Sequence, residues 1–304
     1  MSSPYRSGTA RCCGFGCKGD VVKRQIARLF LVASVSAFGR PVAASGHGPV
    51  FGGATPTLGR GGWSLDQAWT GRFCSAGGPS DEMLRTMLSY GVTENTQLSV
   101  SVPEPVSRGT LPPARMMSVM SSTEELEGIV GWRFQRRDVG VGGRQESTVY
   151  IGGTAPLTHD VNGAALGPSL YVSAATGYAS RAYYLWASAG LQQYATRDAE
   201  RVGGAQFGSI VYGYRPPFLR LEHPKPDLRF LAESTFEHRD AATPAAMSLP
   251  ASTTLFVGPT FLLLYKGYGL SGGVLFPAFS DAPDGVPHER VRVAINASYF
   301  FWLH

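Results

Sequence analysis

Lysine almost disappears from this 304-residue chain after its first stretch: beyond residue 44 only Lys225 and Lys266 remain. Charge of either sign is scarce, at 16% of residues against the roughly 25% usual in soluble domains. No uninterrupted run of about 18 apolar residues occurs, which excludes a membrane-spanning helix. Cysteine is confined to Cys12, Cys13, Cys17 and Cys74, so no disulfide can form within the chain beyond residue 44. The pattern G-x-S-x-G occurs once, at 269–273, inside the strand-period stretch 267–276 rather than at a strand-to-helix turn, so it is not the elbow that presents a hydrolase nucleophile. The net charge of +5 and pI of about 9.1 point first to nucleic acid. Their location removes that reading, because residues 1–44 hold seven basic residues against Asp20 alone, leaving the rest at about −1.

The basic stretch has a layout of its own. In VVKRQIARLFLVASVSAFGRPVAAS, Lys23, Arg24 and Arg28 precede an apolar run from Leu29 to Phe38, and small residues follow. That is the arrangement of a secretory signal peptide, and the small residues of Val42-Ala43-Ala44 predict cleavage after Ala44. The expected organisation is an N-terminal extension plus signal peptide over 1–44 and one domain over 45–304. Cys12, Cys13 and Cys17 lack the second pair of ligands that a zinc site needs. Cleavage after Ala44 would expose Ser45, Gly46 and His47. Their amine, two amide nitrogens and imidazole form a square-planar set suited to Cu(II) or Ni(II). No cofactor is expected elsewhere.

What the remainder does contain is alternation. RVRVAINASYFF at 290–301 places Val291, Val293, Ile295 and Tyr299 on one side and Arg290, Arg292 and Asn296 on the other, the period of a β-strand with one oily and one polar face. The same period recurs in GGWSLDQAWTGRF, NTQLSVSV, LEGIVGWRFQRR and DLRFLAESTFE, and at 82–90, 145–154, 168–178, 181–194, 205–214, 253–265 and 267–276. About twelve strands result, each near the length a tilted strand needs to cross a bilayer. Connections after even-numbered strands are mostly short (GVTEN, AS, KG), and those after odd-numbered strands are mostly long (PEPVSRGTLPPARMMSVMSST, HRDAATPAAMSLPA). RPPFLRLEHPKPD at 215–227 breaks the rule. Aromatics recur near strand ends (Trp63, Phe73, Tyr90, Tyr178, Tyr194, Tyr214, Tyr265, Tyr268, Tyr299), as interfacial girdles require.

A soluble sandwich or lipocalin-like barrel also alternates. It would be smaller, however, and its wet face would carry Lys alongside Arg. The polar faces here carry Arg with acids, fitting a lumen lined by opposed charges. The expected fold is therefore all-β: a closed antiparallel up-and-down transmembrane barrel of about twelve strands. Loop parity puts it in the outer membrane of a Gram-negative bacterium with both termini periplasmic. Lumen-facing candidates are Asp66, Arg72, Arg133, Arg137, Arg229, Glu233, Glu237, Arg290 and Arg292. The loop at 103–125 is the candidate to fold over or into the mouth.

The stretches HGPVFGGATPTLGRGGWSLDQAWTGRF, MLSYGVTENTQLSVSVP and GPTFLLLYKGYGLSGGVLFP, with RVRVAINASYFF, resemble predicted outer-membrane transporters related to the family labelled putative MetA-pathway of phenol degradation. The resemblance spans residues 47 to 301 and implies a twelve-stranded-type barrel passing small or aromatic molecules. It brings no catalytic residue. Such barrels usually end on an aromatic residue, whereas this chain continues through Trp302, Leu303 and His304.

Of the histidines, His47, His159, His223, His238, His288 and His304, most lie in or beside connections. FEHRD at 236–240 is the nearest thing to an acid–base cluster, but in a strand Glu237 and His238 face opposite ways. No enzyme activity is expected. The expected function is a passive or weakly selective channel for small molecules. A non-conducting binding or structural barrel is the alternative and a barrel lipid hydrolase the third reading. Expected partners are outer-membrane lipid, the barrel-assembly machinery and a small-molecule permeant, with no nucleic acid.

Overall fold

A computed structural model of the protein describes residues 40–41, 48–74, 80–107, 125–140, 142–157, 168–195, 203–219, 225–241, 250–281 and 288–303. Twelve strands follow one another: β1 (Gly62–Cys74), β2 (Asp81–Gly91), β3 (Thr96–Ser107), β4 (Glu125–Asp138), β5 (Arg144–Pro156), β6 (Ser169–Ala179), β7 (Tyr183–Tyr194), β8 (Ala205–Tyr214), β9 (Asp227–Arg239), β10 (Ser252–Tyr265), β11 (Tyr268–Asp281) and β12 (Glu289–Trp302). Each pairs antiparallel with its sequence neighbours, and β12 pairs back onto β1 from Glu289↔Cys74 to Trp302↔Gly62. The sheet is thus a closed up-and-down barrel with no free edge. A two-residue bridge, Arg40–Pro41, pairs with Trp302 and Phe301. No helix among the described residues is long and apolar enough to cross a membrane.

Burial runs opposite to that of a soluble protein. Leu170 and Ile210 are 71% and 62% exposed, whereas Asp66, Arg85 and Arg292 are each 1% exposed. Over most strands the oily set of the alternation therefore points outward and the polar set inward, an arrangement stable only where the surroundings are themselves apolar. In β12, Ile295 is exposed on the outer face while Arg292 and Asn296 are buried inside.

The two ends of the barrel differ. Hairpins at 92–95, 139–143, 180–182 and 266–267 share one end with the start of β1 and the finish of β12. At 139–143 the tight reversal closes through the Val139 N–H to the Gly143 carbonyl at 2.8 Å, with Gly140 and Gly142 at φ 63° and 73°, where a side chain would strain the backbone. The exceptional connection at 215–226 turns through a short 3-10 segment, Pro217–Leu219. Aromatic pairs ring this end: Trp63–Tyr90 with centroids 4.5 Å apart, Tyr183–Tyr214 at 5.4 Å and Tyr268–Tyr299 at 5.1 Å. Tyr194 lies near the other end and is buried on the inward face instead. The last strand runs one residue past Phe301 because Trp302 pairs with Gly62 and lays its ring against Gly61.

Two candidate lumen residues depart from expectation, both at bulges. The β4–β5 register shifts between Arg133 and Gln135, so Arg137 comes opposite Gln145, on the face of Ile151, and is exposed. In β12 the register against β1 shifts between Glu289 and Val291. Arg290 is the extra residue and is exposed, while Glu289 takes the inward place beside Arg292. One inserted residue reverses the phase of everything beyond it.

The inverted burial has a measurable consequence at Ile151, 57% exposed near the middle of β5. Ile151→Arg is expected to lower folding stability in liposomes by about 2–4 kcal/mol, as lipid-facing arginines do at mid-bilayer, and Ile151→Leu to leave it nearly unchanged. Urea titration of both variants reads this. An unaffected Ile151→Arg barrel would mean that this face meets water.

Candidate functional site

The lumen is filled in layers. Nearest the long connections, an ion-pair chain crosses β9, β12, β1 and β2. Arg292 donates through Nε and Nη2 to the two carboxylate oxygens of Glu289 at 2.7 and 3.0 Å, and through Nη1 to Glu237 at 2.6 Å. Arg72 donates to the same Glu289 at 2.9 Å and reaches Asp81 at 3.4 Å, while Arg239 lies 3.5 Å from Glu237. Three arginines thus alternate with three acids. The planar guanidinium serves two carboxylates at once, which an ammonium group cannot do with fixed geometry.

Other candidates sit in smaller groups. Asp66 accepts from the Ser64 hydroxyl at 3.1 Å, the Asn296 amide at 3.3 Å and the Ser298 hydroxyl. Arg133 donates to Glu146 at 2.9 Å and to the Glu94 carbonyl at 2.6 Å, pinning the first short hairpin. Arg229 binds Asp227 at 2.7 Å and lies 4.6 Å over the Tyr184 ring. Tyr184 belongs to an apolar floor with Trp186, Val211, Leu231, Leu262 and Leu264 on β7 to β10. Arg85 pairs with Ser101 at 2.9 Å and Glu127 at 3.6 Å. The sequence concealed Arg85, which alternates with Met83 and Met87 in what reads as an oily row.

The middle of the lumen holds chain rather than side chains. Residues 48–58 enter no ladder and form an inner strap. Glu233, midway along β9, accepts the backbone N–H groups of Val50, Phe51 and Gly52 at 2.7, 2.8 and 2.9 Å, and the Thr260 hydroxyl at 2.6 Å. The Gly53 N–H then reaches Ser209 Oγ at 3.1 Å. Across the lumen, the Tyr150 hydroxyl donates to the Ala54 carbonyl at 2.7 Å and Thr148 to the Thr55 carbonyl at 2.6 Å. The Leu58 N–H ends the crossing on Gln97 Oε1 at 2.9 Å. Gly52 is required for the approach, since a Cβ there would meet Ser209 Oγ at 2.7 Å and Val211 at 2.8 Å.

The side chains of Val50 and Phe51, both 1% exposed, pack with Ala68, Phe256, Leu275 and Ala294. Arg292 lies 4.2 Å over the other ring in this cluster, Phe256. This apolar seat interrupts an otherwise polar interior. Strap residues Gly48 to Leu58 contain no charged side chain and no alternation, so period-based reading treats them as a linker. Their Gly, Pro and Thr content suits a chain threaded through a narrow space. The loop at 103–125 and the Ser45-Gly46-His47 set lie largely or wholly outside the described residues, and no cluster of three or more metal-ligating side chains occurs among those described.

At the outer wall, His238 Nδ1 lies 2.8 Å from Thr253 Oγ1, while its Nε2 is 3.6 Å from Asp240, beyond hydrogen-bonding distance. Glu237 next to it points inward to Arg292.

No family model matches the sequence, so the resemblance to the phenol-degradation family is not confirmed, and no curated protein matches it. Solved barrels are similar in structure. The NanC porin is 7% identical over 78% of this chain and 98% of its own, with a TM-score of 0.46. LpxR from Salmonella typhimurium is 10% identical over 79% and 100%, at 0.37. OmpT, an outer membrane protein of Vibrio cholerae, is 8% identical over 79% and 99%, at 0.32. Similarity at this level carries no shared activity.

Proposed function

We propose that the protein is an outer-membrane channel for small molecules, closed by residues 48–58 and opened when they leave the lumen. The observation that carries this reading is how the strap is fixed. Glu233, Ser209, Tyr150, Thr148 and Gln97 hold it by side-chain hydrogen bonds to its backbone. It contributes no strand to the wall, so it can depart with the barrel intact.

The polar lining supports passage of a hydrated or polar group, because Arg292, Arg72 and Arg133 are paired with Glu289, Glu237 and Glu146 and offer exchangeable partners. In this reading the long connections face outside the cell and both termini the periplasm. Outer-membrane lipid covers the oily face, and the barrel-assembly machinery inserts the chain. Aromatic permeants rest on the family resemblance alone. We assign no catalytic role to His238, whose Nε2 is 3.6 Å from Asp240, beyond hydrogen-bonding distance. The filled lumen favours one rival, a non-conducting structural or binding barrel.

Recording in planar bilayers separates the two. The wild-type protein is expected to be mostly closed with brief openings. Glu233→Ala removes an acceptor of several charge-assisted hydrogen bonds, each worth about 1.5–3 kcal/mol, and is expected to raise the open fraction on the order of tenfold or more. A variant lacking residues 48–58 should stay open. If that variant is heat-modifiable, hence folded, and still silent, the channel reading fails. Labelling by an active-serine probe would restore the hydrolase reading.

A further inference from the structure

Glu233 differs from its neighbours in the lumen. Glu237 and Glu289 share Arg292, Glu146 pairs with Arg133, Glu127 with Arg85, and Asp81 with Arg72. Among the described residues no cation stands within ion-pairing distance of Glu233. Its four acceptor bonds come from three strap N–H groups and the Thr260 hydroxyl. When the strap leaves, a carboxylate 2% exposed loses three of its four donors at once. An uncompensated buried charge is costly, and it draws in donors or a positive charge. The same departure vacates the seat of Val50 and Phe51, leaving Ala68, Phe256, Leu275 and Ala294 without their apolar cover.

We infer that this double vacancy is a binding site for a small apolar amine, its ammonium on Glu233 and its hydrocarbon part in the seat of Val50 and Phe51. The strap is then a built-in competitor that mimics such a ligand: N–H donors on the carboxylate and a phenyl plus a branched aliphatic group in the pocket. The adjacent Arg292 does not favour an anion instead, because its N–H groups are engaged by Glu237 and Glu289. An anionic ligand would also meet the Glu233 charge. The inference rests on the channel reading to the extent that the strap must be able to leave, and it names the class of molecule that the opened lumen selects.

Isothermal titration calorimetry of the folded protein in detergent tests it without requiring conduction. The probes are phenethylammonium, the neutral phenethyl alcohol and the anion phenylacetate. Phenethylammonium should bind at least tenfold more tightly than either control. Gly52→Ala, which pushes the strap off Ser209 and Val211 while leaving Glu233 and the apolar seat unchanged, should raise its affinity at least tenfold. Glu233→Gln should abolish the preference for the cation. Heat-modifiable migration shows that both variants remain folded. Equal binding of the three probes, no ammonium binding by folded Gly52→Ala, or full affinity in Glu233→Gln would each overturn the site. Conduction without ammonium binding removes this inference and leaves the channel standing. Ammonium binding by a barrel that never conducts keeps the site and removes the channel.

Discussion

Everything else in this molecule depends on the pairing of Glu289–Trp302 with Gly62–Cys74. In lipid an unpaired strand edge exposes N–H and C=O groups that nothing outside can satisfy, so a sheet is tolerated there only when it closes on itself. Closure in turn fixes the two sides. One must be oily because it meets hydrocarbon, and the other becomes an interior whose polar groups bond to one another and to the strap. The scarcity of lysine follows from that second demand. An interior carboxylate needs a partner that holds its geometry without bulk water, and the forked guanidinium of Arg292, bonded to Glu289 and Glu237 together, meets that need.

The interior consequently resembles the core of a soluble protein in packing but not in chemistry. Its apolar groups are the minority. They collect at the floor around Trp186 and in the seat around Phe256, and the strap covers the second. Glu233 joins the two chemistries, since its carboxylate orders the backbone of the same residues whose side chains fill the apolar seat.

The strands and their closure were legible in the sequence because lipid and lumen impose opposite demands on successive residues. That is why Ile295 and Asn296 could be sorted by position alone. The same logic failed at Arg137 and Arg290, where one inserted residue reversed the phase and no residue type announced it. Arg85 was hidden for the converse reason, an inward cation set between two methionines. The strap was illegible in principle, because a segment with neither period gives no account of where it goes. Its anchor lies 183 residues away from Val50 in the chain. Glu233 was recognisable as an inward acid, but its distinction from Glu237 lies in what stands opposite, which is a property of the closed ring.

The strap is continuous with β1 through Gly61, whose N–H is bonded to the Gly91 carbonyl at the short-hairpin end. On its other side, Pro41 pairs with Phe301 at the finish of β12, at the same end. Residues 48–58 reach into the barrel from the β1 stem at that end, like a cord lowered into a well. Such a cord need not be threaded through the ring to be removed. Withdrawal toward the short-hairpin side would break the strap's bonds to Glu233, Ser209, Tyr150, Thr148 and Gln97 but none of the ladder bonds that close the wall.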